Sequence, residues 1–278
     1  MERAPIKIYD TSLRDGLRNS GVTMTLAHKL QFAQQLEHLK VDAIEIGYGG
    51  PSQLETMHQL AEIIDGPITF GLSRVNLKDV DRVLQSLQRA KKPGVNIFHP
   101  VSDDFLHRAK KSHQQAIDVS VAAIAHARQQ VDHVVFSAQD ASRADLAYLS
   151  DICGAVIAAG ATCISIADSV SFAVPGQFGQ FCSDVRTRTA DGKRVTWSVH
   201  CHNEMGLAVA NSLAAIENGF RQVECTVDGI GEGQGNTRLQ SVVTALTQRA
   251  DVFSSVTTHV AVEQFVVASH LLAEASKE

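Results

Sequence analysis

The chain has 278 residues, of which 44% are hydrophobic and 20% charged, and its formal net charge is -5. A chain of this size can bury a large core without the help of disulfides. The composition excludes nucleic acid as a partner, because no cluster of Lys and Arg is dense enough to bind phosphates, and it excludes a membrane span, because no apolar run approaches the roughly 20 residues required.

Eight short apolar segments alternate with longer amphipathic segments along the chain. The predicted strands lie at residues 6–9, 43–46, 68–72, 95–99, 134–137, 163–166, 195–200 and 222–226. Most of them are continuous apolar runs, which are typical of parallel strands buried on both faces. Between them, residues 26–39 and 116–127 carry apolar side chains at helical spacing. The alternation predicts a parallel sheet whose strands are joined by helices.

The number of strand–helix units favours a closed (β/α)8 TIM barrel of the α/β class, which needs roughly 250 residues. An open dinucleotide-binding sheet is disfavoured because no GxGxxG follows the first strand. We expect a single TIM-barrel catalytic domain over residues 1–278, with the barrel at about residues 5–250 and a C-terminal helical extension at about 251–278. The eighth barrel helix is predicted at residues 237–249. A further helix at residues 258–275 would pack on the barrel exterior or on a neighbouring subunit.

The cysteines predict a reducing compartment. The five of them are odd in number and form no CxxC pair, so we interpret them as free thiols. The N-terminal residues lack the charged-then-apolar layout of a signal peptide. Both observations predict a cytoplasmic protein.

Unusual polar residues fall at the ends of the predicted strands. In a barrel of this kind, reactive residues collect at the C-terminal ends of the strands. The residues found there are Arg14, Asp15, Glu45, His99, Gln139, Asp140, Asp168, Ser169, His200, His202, Glu224 and Asn236. The sequence therefore predicts a site at that end of the barrel.

The segment His200-Cys201-His202 is the sharpest local signal for a metal. Strand periodicity sends residues i and i+2 to one face, so both imidazoles can reach one ion. Asp15, in an Arg-Asp-Gly triplet after the first strand, is the natural third ligand of a facial set with open positions. Each motif alone also fits a structural role, as a buried histidine pair or as a turn.

Two further features suggest binding chemistry. Glu45 is a carboxylate inside a buried apolar run and needs a partner, which Arg14 could supply. The loop at residues 228–237 carries four glycines and leads into a helix. Exposed backbone N–H groups at a helix start favour anions, although a flexible turn is the alternative interpretation.

These motifs together resemble the DRE-TIM metallolyase superfamily, the HMGL-like group. Residues 10–16 (DTSLRDG) resemble its D-T-[ST]-L-R-D-G opening, and residues 200–208 (HCHNEMGLA) resemble its H-x-H-N-D-x-G-x-A segment. Residues 222–237 resemble the Q-V-[ED]-x-T to G-N stretch of 2-isopropylmalate and homocitrate synthases, and residues 136–143 (FSAQDASR) resemble their F-S-x-E-D-x-x-R element. The resemblance covers the whole barrel.

The resemblance implies a metal-dependent condensation of an acyl-CoA, acetyl-CoA, with a 2-oxo acid. A divalent ion (Mg2+, Mn2+, Zn2+ or Co2+) would be held by Asp15, His200 and His202, with Asn236 as a ligand or a neighbour. Arg14 would stabilise the enolate or oxyanion. The remaining expected site residues are Glu45 and Asp140 as catalytic groups, and His99, Gln139, Ser169, Gly231 and Gly233 as substrate-binding groups.

The chain departs from the family pattern at several positions. Gln139 stands where these synthases usually carry Glu, and an amide cannot act as a carboxylate base; Asp140 is the neighbouring carboxylate that would compensate. Residues 16–18 (GLR) replace the common Gly-Glu-Gln. Because the chain ends just past the barrel, we also expect it to lack the downstream synthase domains that supply a catalytic His and allosteric control.

Two other functions remain open at this point. One is a lyase or aldolase of the same superfamily that cleaves a 4-hydroxy-2-oxo acid or a 3-hydroxyacyl compound. The other is a metal-binding barrel without catalysis, for which Gln139 is the sequence support. The C-terminal extension further predicts a homodimer.

Overall fold

Eight parallel strands close into a barrel in the computed structural model, which describes residues 3–275. Two short strands, β1 (Ala4–Pro5) and β10 (Val256–Thr257), pair with each other outside it. The barrel strands are β2 (Lys7–Asp10), β3 (Ala43–Tyr48), β4 (Ile68–Arg74), β5 (Pro93–Pro100), β6 (His133–Gln139), β7 (Cys163–Asp168), β8 (Thr196–Cys201) and β9 (Gln222–Cys225). They follow one another in chain order, and β9 pairs with β2. The predicted TIM barrel is confirmed.

Helices surround the barrel and connect its strands. They are α1 (Leu26–His38), α2 (Leu54–Ile63), α3 (Leu77–Ser86), α4 (Asp103–Arg108), α5 (His113–Arg128), α6 (Leu146–Ala158), α7 (Pro175–Arg188), α8 (Ala208–Glu217), α9 (Leu239–Gln248) and α10 (Phe265–Ala275). Local capping explains several starts: Thr25, Asn76 and Asp145 each accept a hydrogen bond from a backbone N–H in the first turn of the helix that follows.

Apolar side chains fill the lower half of the barrel interior. Tyr9, Ala43, Phe70, Val135 and Cys163 are buried together there, and the rings of Tyr9 and Phe70 lie 4.9 Å apart. The other face of each strand packs against the helices in the main core. The polar residues nearer the carboxyl ends of the strands therefore rest on a closed apolar floor.

The two C-terminal helices begin later than predicted. The expectation of helix from residue 258 is wrong, because α10 begins at Phe265. The backbone N–H of Ala261 donates to Leu39 O, which holds this segment against the end of α1, and a single 3-10 turn, Val262–Gln264, precedes α10. Similarly, α9 begins at Leu239, because the N–H of Thr237 donates to Cys201 O.

The extension packs on the barrel exterior. Helix α10 lies against α1, and Gln35 Nε2 donates to Gln264 Oε1 over 3.1 Å. All five cysteines lie within the described residues, and each is free and buried. Among the helices of residues 3–275, none has both the length and the apolar character that crossing a membrane requires.

Candidate active site

Asp15 lies in a tight π-helical turn, Ser12–Gly16, directly after β2. The backbone N–H groups of Asp15 and Gly16 both donate to Thr11 O. The turn is also fixed to the end of β9, because Thr11 N donates to Cys225 O and Ser12 Oγ accepts from Val227 N. Contacts to the end of β9 and the loop that follows it therefore fix the orientation of this turn at the rim.

The two imidazoles come from the end of β8. His200 lies in the strand, and His202 follows it, with its N–H donating to Asp168 O. His200 Nε2 lies 3.5 Å from Asp15 Oδ2, and His202 Nε2 lies 3.8 Å from the same oxygen. The structure thus brings together the carboxylate and the imidazole pair singled out in the sequence.

The geometry of these three side chains suits a divalent cation. One ligand atom from each of Asp15, His200 and His202 lies within 4.8 Å of the others. Atoms that share an ion at about 2.1 Å are about 3.0–3.4 Å apart, so a small inward movement completes the set. Asp15 Oδ1 pairs with Arg14. Among the described residues 3–275, Asp15 Oδ2 has no hydrogen-bond partner although it is buried, and an ion would supply one.

The surrounding charges set the protonation of the ligands. Burial raises the pKa of Asp15, but Arg14 and the two histidines outweigh it and lower that pKa to about 2. For His202, burial and the neighbouring His200 lower the pKa below its ordinary value. Burial also lowers the pKa of His200, but Glu224 and Asp15 reverse this and raise it. An ionised carboxylate and a neutral imidazole are the forms that bind metals.

A buried carboxylate supports each side of this set. Glu224 Oε2 lies 3.5 Å from His200 Nδ1 and Glu224 Oε1 accepts a hydrogen bond from Ser198 Oγ. A partner on the far nitrogen orients a metal-binding imidazole. On the other side, Glu45 is fully buried and pairs with Arg14.

The Glu45 partner expected from the sequence is therefore present, and it belongs to a larger network. Tyr9 Oη and Asn96 Nδ2 each donate to Glu45 Oε1 over 3.0 Å, and Asn96 Oδ1 accepts from Ser137 Oγ. Burial raises the pKa of Glu45, and the Arg14 guanidinium opposes that effect. The network holds Arg14 beside Asp15.

The glycine-rich loop places Asn236 next to His202, and the backbones of these two residues pair as a single antiparallel β-bridge. Asn236 Nδ2 donates to Ile230 O, while Oδ1 is buried without a hydrogen-bond partner. A Cβ on Gly231 would lie 2.3 Å from Asn236 Nδ2, so this glycine makes room for the amide. Within residues 3–275 Asn236 Oδ1 has no partner, which is a further feature that fits a cation.

Two adjoining cavities open at this end of the barrel. The smaller, of about 190 Å³, is lined by all three candidate ligands together with Gln139 and Ser169. The larger, of about 680 Å³, lies beside it and contains Lys29, Met24 and Tyr48. Arg14, Arg18, Leu72 and Phe98 line both cavities.

Asp140 does not reach either cavity. It is buried and adopts a left-handed backbone conformation with a φ of 60°. Its carboxylate accepts from Ser102 Oγ and pairs with Arg143, while its N–H donates to Ser169 Oγ over 3.1 Å. The expectation that Asp140 compensates for Gln139 is therefore corrected: this carboxylate is committed to structural contacts.

Three expected substrate-binding residues also lie outside the cavity linings. Asn96 and Phe98 line the smaller cavity, so period-two alternation turns His99 to the opposite face of β5. Burial lowers the pKa of His99 to about 4. Gly231 makes room for the Asn236 amide, and Gly233 adopts a φ of +63° beside Glu204. Both glycines shape the loop.

Sequence reasoning singled out no role for four of the polar residues that line the smaller cavity. They are Arg18, Asn96, Ser137 and Glu232. One signal was available for Asn96, because an amide between Val95 and Ile97 in a buried strand needs a partner in the same way as Glu45. The other signals came from the family pattern, because Glu232 stands at the Glu of its G-E-R-x-G-N stretch and Arg18 replaces its Gln close to the expected substrate pocket.

The family model described as HMGL-like matches residues 5–272. Among curated proteins, the 2-isopropylmalate synthase of Syntrophus aciditrophicus is 44% identical over 251 residues, which are 89% of this chain and 49% of that protein. That of Chromobacterium violaceum is 42% identical over 270 residues, 95% of this chain and 52% of that protein. The chain spans about half the length of these relatives.

Among solved structures, hydroxymethylglutaryl-CoA lyases have the same fold. The enzyme from Pseudomonas aeruginosa superposes with a TM-score of 0.83 at 20% identity, covering 100% of this chain and 95% of that one. The lyase from Bacillus subtilis gives a TM-score of 0.82 at 18% identity, with coverage of 100% and 96%. At this level of identity the likeness establishes the architecture.

Proposed function

The chain belongs to the HMGL-like family, and on that premise we propose that it is a divalent-metal-dependent enzyme that condenses acetyl-CoA with a 2-oxo acid. The relatives named 2-isopropylmalate synthase support condensation rather than cleavage, since they match at 40–44% identity over most of the chain. The observation that carries the proposal is the convergence of Asp15, His200 and His202 on one point at the rim.

The metal would be held by Asp15, His200 and His202, with Asn236 beside them. Bound there, a divalent cation supplies Lewis acidity to the ketone of a 2-oxo acid. The mixed carboxylate and imidazole set is compatible with Mg2+, Mn2+, Zn2+ or Co2+. The unpaired oxygens of Asp15 and Asn236 support the site independently of any relative.

Arg14 is the residue we assign to charge stabilisation. Its guanidinium lines the smaller cavity and is held by Asp15 on one side and Glu45 on the other. Because both partners are buried, the guanidinium is oriented before substrate binds. A fixed cation stabilises negative charge that develops on a ketone oxygen or on an enolate. In this proposal Glu45 is a positioning residue.

Ser169 and Gln139 would orient the carboxylate of the oxo acid. Both line the smaller cavity. Ser169 Oγ accepts from Asp140 N, which leaves its own proton free to donate. Gln139 offers a neutral amide donor in the same cavity. Donors of this kind fix a carboxylate in one orientation.

The larger cavity would accept acetyl-CoA. The charged residues among its lining are Arg14, Arg18 and Lys29, all of them cationic. Apolar side chains such as Leu17, Val22 and Met24 line the same space. An anionic ligand with a long partly apolar arm suits that combination. Because the two cavities share a wall, the acetyl end of acetyl-CoA would lie near Asp15, His200 and His202.

Thiol release tests the condensation, because hydrolysis of the condensed thioester by water frees coenzyme A. Purified protein is mixed with Mg2+, Mn2+, Zn2+ or Co2+, acetyl-CoA and a panel of 2-oxo acids, and free coenzyme A is measured with a thiol reagent. Release that requires both the metal and an oxo acid supports the proposal. Cleavage of a 4-hydroxy-2-oxo acid or a 3-hydroxyacyl compound in place of release would assign a lyase. Inertness to every substrate would leave a metal-binding barrel.

A homodimer is proposed on the C-terminal segment. Val262, Val266 and Val267 are exposed large apolar residues, with Val266 exposed by 63%. Exposed apolar residues close together in sequence are common at subunit contacts. Light scattering at several concentrations should give twice the 30.0 kDa mass of one chain. A mass of one chain throughout contradicts the dimer.

A cytoplasmic location is proposed because all five cysteines are free and buried and disulfides are rare in reducing compartments. Fractionation of the source cells tests it, with recovery in the cytoplasmic fraction as the expected result.

A further inference from the structure

We propose that Glu232 takes the proton from the acyl-CoA carbon that forms the new carbon–carbon bond. This inference rests on the condensation proposed above and adds the group that was missing from it. A Claisen-type step needs a base near both substrates, and Gln139, which lines the smaller cavity, is an amide that cannot serve as one.

Asp140, and the acidic groups other than Glu232 that line the smaller cavity, are committed elsewhere. Among the residues that line the smaller cavity, the carboxylates are Asp15, Glu224 and Glu232. Asp15 belongs to the candidate ligand set. Glu224 is buried between Ser198 and His200. Asp140 pairs with Arg143 outside both cavities. Glu232 is left as the acidic side chain of the lining that solvent and substrate can reach, being 42% exposed.

Glu232 lies where the two cavities meet. It lines the smaller one, and its Oε2 is 3.4 Å from Arg18 Nε. Arg18 belongs to the wall that both cavities share, together with Leu72 and Phe98. An acyl group that enters from the larger cavity passes this wall to reach a ketone at the ligand set. A base at the same wall meets the acyl carbon as it arrives.

Two donors from the loop after β2 orient the carboxylate. Asn19 Nδ2 donates to Glu232 Oε1 over 2.9 Å, while Arg18 faces Oε2. Asn19 has a φ of +50°, a left-handed conformation that asparagine tolerates better than most residues. Each carboxylate oxygen carries further lone pairs beyond the one used in these contacts. The carboxylate is therefore fixed in direction and still able to accept a proton.

The step balances without any further reactant. A Glu232 oxygen takes the proton from the α-carbon of the thioester. The released electron pair forms the bond to the ketone carbon, and the π pair of that C=O moves onto its oxygen. Glu232 then returns the proton to this oxygen, so the addition gains and loses no proton overall.

Exchange of the acyl protons with D2O isolates this step from condensation. Mass spectrometry follows deuterium entry into the acetyl group of acetyl-CoA with Mg2+ present, and thiol release is measured in parallel. We expect Glu232→Gln to slow both by about 100-fold or more, the usual contribution of a general base. Calorimetry should give an acetyl-CoA Kd within about threefold of the wild type, since binding is not the affected step.

Three further variants separate chemistry from structure. Glu232→Asp keeps a carboxylate and should retain measurable exchange. This variant keeps the proposal testable if Glu232→Gln folds poorly. Arg18→Gln removes the ion pair but leaves the base, so its loss should be smaller than that of Glu232→Gln. Asp228→Asn is the matched control: Asp228 lies in the same loop, outside both cavities, and pairs with Arg238. It should exchange at the wild-type rate.

The outcomes separate this proposal from the proposed function. One outcome is that the wild type exchanges acyl protons but releases no thiol with any oxo acid, and that Glu232→Gln loses the exchange. This outcome would overturn the condensation and support Glu232 as the base. Thiol release that persists in Glu232→Gln within about tenfold of the wild type would overturn Glu232 and leave the condensation intact. Neither exchange nor release in the wild type would overturn both.

Discussion

At the scale of single residues, two carboxylates at the carboxyl end of β2, Asp10 in the strand and Asp15 in the turn after it, have pKa values shifted in opposite directions. Arg14 and the histidines bring the pKa of Asp15 down to about 2 in spite of burial. Burial raises the pKa of Asp10 to about 7, although hydrogen bonds from Ser12 oppose the shift, and the charged group that acts on it is the carboxylate of Glu45. The contrast follows from the neighbours, because desolvation disfavours both charges alike.

Asp10 should make the protein less stable as pH rises. Its pKa is raised from 3.8 to about 7 on folding, so between about pH 4 and 7 the folded state binds more protons than the unfolded state. The free energy of unfolding then falls by up to about 1.4 kcal/mol per pH unit from this group. Asp10→Asn removes that dependence. Urea unfolding of the wild type and the variant at several pH values in this range gives the slope of the free energy of unfolding against pH for each protein.

The control for Asp10 is an exposed carboxylate. Asp191→Asn removes a carboxylate that is 56% exposed and pairs with Arg194 at the surface, so the stability of this variant should run parallel to that of the wild type over the same pH range. If the stability of Asp10→Asn also ran parallel to that of the wild type over this pH range, the raised pKa assigned to Asp10 would be contradicted.

Glu45→Gln tests how Arg14 is held. The amide keeps one acceptor for Tyr9 and Asn96 but presents N–H groups to a guanidinium that has lost one of its two carboxylate partners. We expect kcat to fall by about 10–100-fold with a smaller change in KM for the oxo acid. The free energy of unfolding should fall by about 1–3 kcal/mol. Thiol release and urea unfolding measure the two effects.

The matched change for Glu45 is Glu62→Gln. Glu62 pairs with Arg89, and both side chains are more than half exposed, so we expect its stability to change by no more than about 0.5 kcal/mol and its kcat to stay unchanged. A Glu45→Gln variant that behaves like this control would show that Arg14 needs no second carboxylate.

Part of the candidate site could be predicted because two of its features depend only on residues that are close together in sequence. The spacing of His200 and His202 gives a shared face, and the cost of burying Glu45 demands a partner. Which face of a strand a given residue occupies is not local. His99 and Asp140 follow the same strand-end rule as Asp15, yet alternation and a left-handed turn direct them away from the cavity.

At the scale of elements, the loop between β9 and α9 depends on backbone that an L side chain resists. Gly229 and Gly235 have φ angles of +74° and +90°. Gly229 O accepts from Asn236 N, which closes the loop on itself. The Asn236 amide and the Glu232 carboxylate therefore owe their positions to glycines that carry no chemistry.

Gly235→Ala should disrupt this loop. A Cβ there would lie 2.0 Å from Gly229 O, at a φ that alanine rarely adopts. We expect Asn236 to shift and the affinity for Mn2+ to fall by about 10–100-fold, as when a residue that supports a metal ligand is lost. Calorimetric titration of the purified variant measures it.

Gly176→Ala provides the comparison. Gly176 lies in the first turn of α7, and a Cβ there meets nothing within 4 Å, so Mn2+ affinity should be unchanged and stability equal or greater by up to about 1 kcal/mol. Equal affinities in the two glycine variants would mean that the loop does not support the metal site.

The elements themselves were largely predictable because their signals repeat along the chain. Each barrel strand was indicated by an apolar run, and the structure extends most of them by one or two residues toward the polar ends. The segment before α10 was misjudged for a tertiary reason. Its apolar residues fit helical spacing, but Ala261 bonds to the end of α1, and no property of residues 258–264 alone reports that contact.

At the scale of the whole molecule, the ligand set joins distant parts of the chain across the barrel closure. Asp15 follows β2, and His200 and His202 belong to the end of β8, with β9 between them in the sheet. An ion at that point therefore connects the first barrel loop with the seventh. A ligand that requires this closed arrangement binds the folded state and has no equivalent site in the unfolded chain.

Metal binding should consequently stabilise the entire barrel. Mn2+ at about 100 times its Kd adds about 2.7 kcal/mol to the free energy of unfolding, and Tm rises by roughly 2–4 °C for each kcal/mol in a domain near this size. Asp15→Asn should abolish the rise, because the amide is a weak neutral ligand. Asp65→Asn, which removes an exposed surface partner of Lys91, should keep it. Thermal melts with Mn2+ and with a chelator measure all three proteins, and a rise retained in Asp15→Asn would place the ion elsewhere.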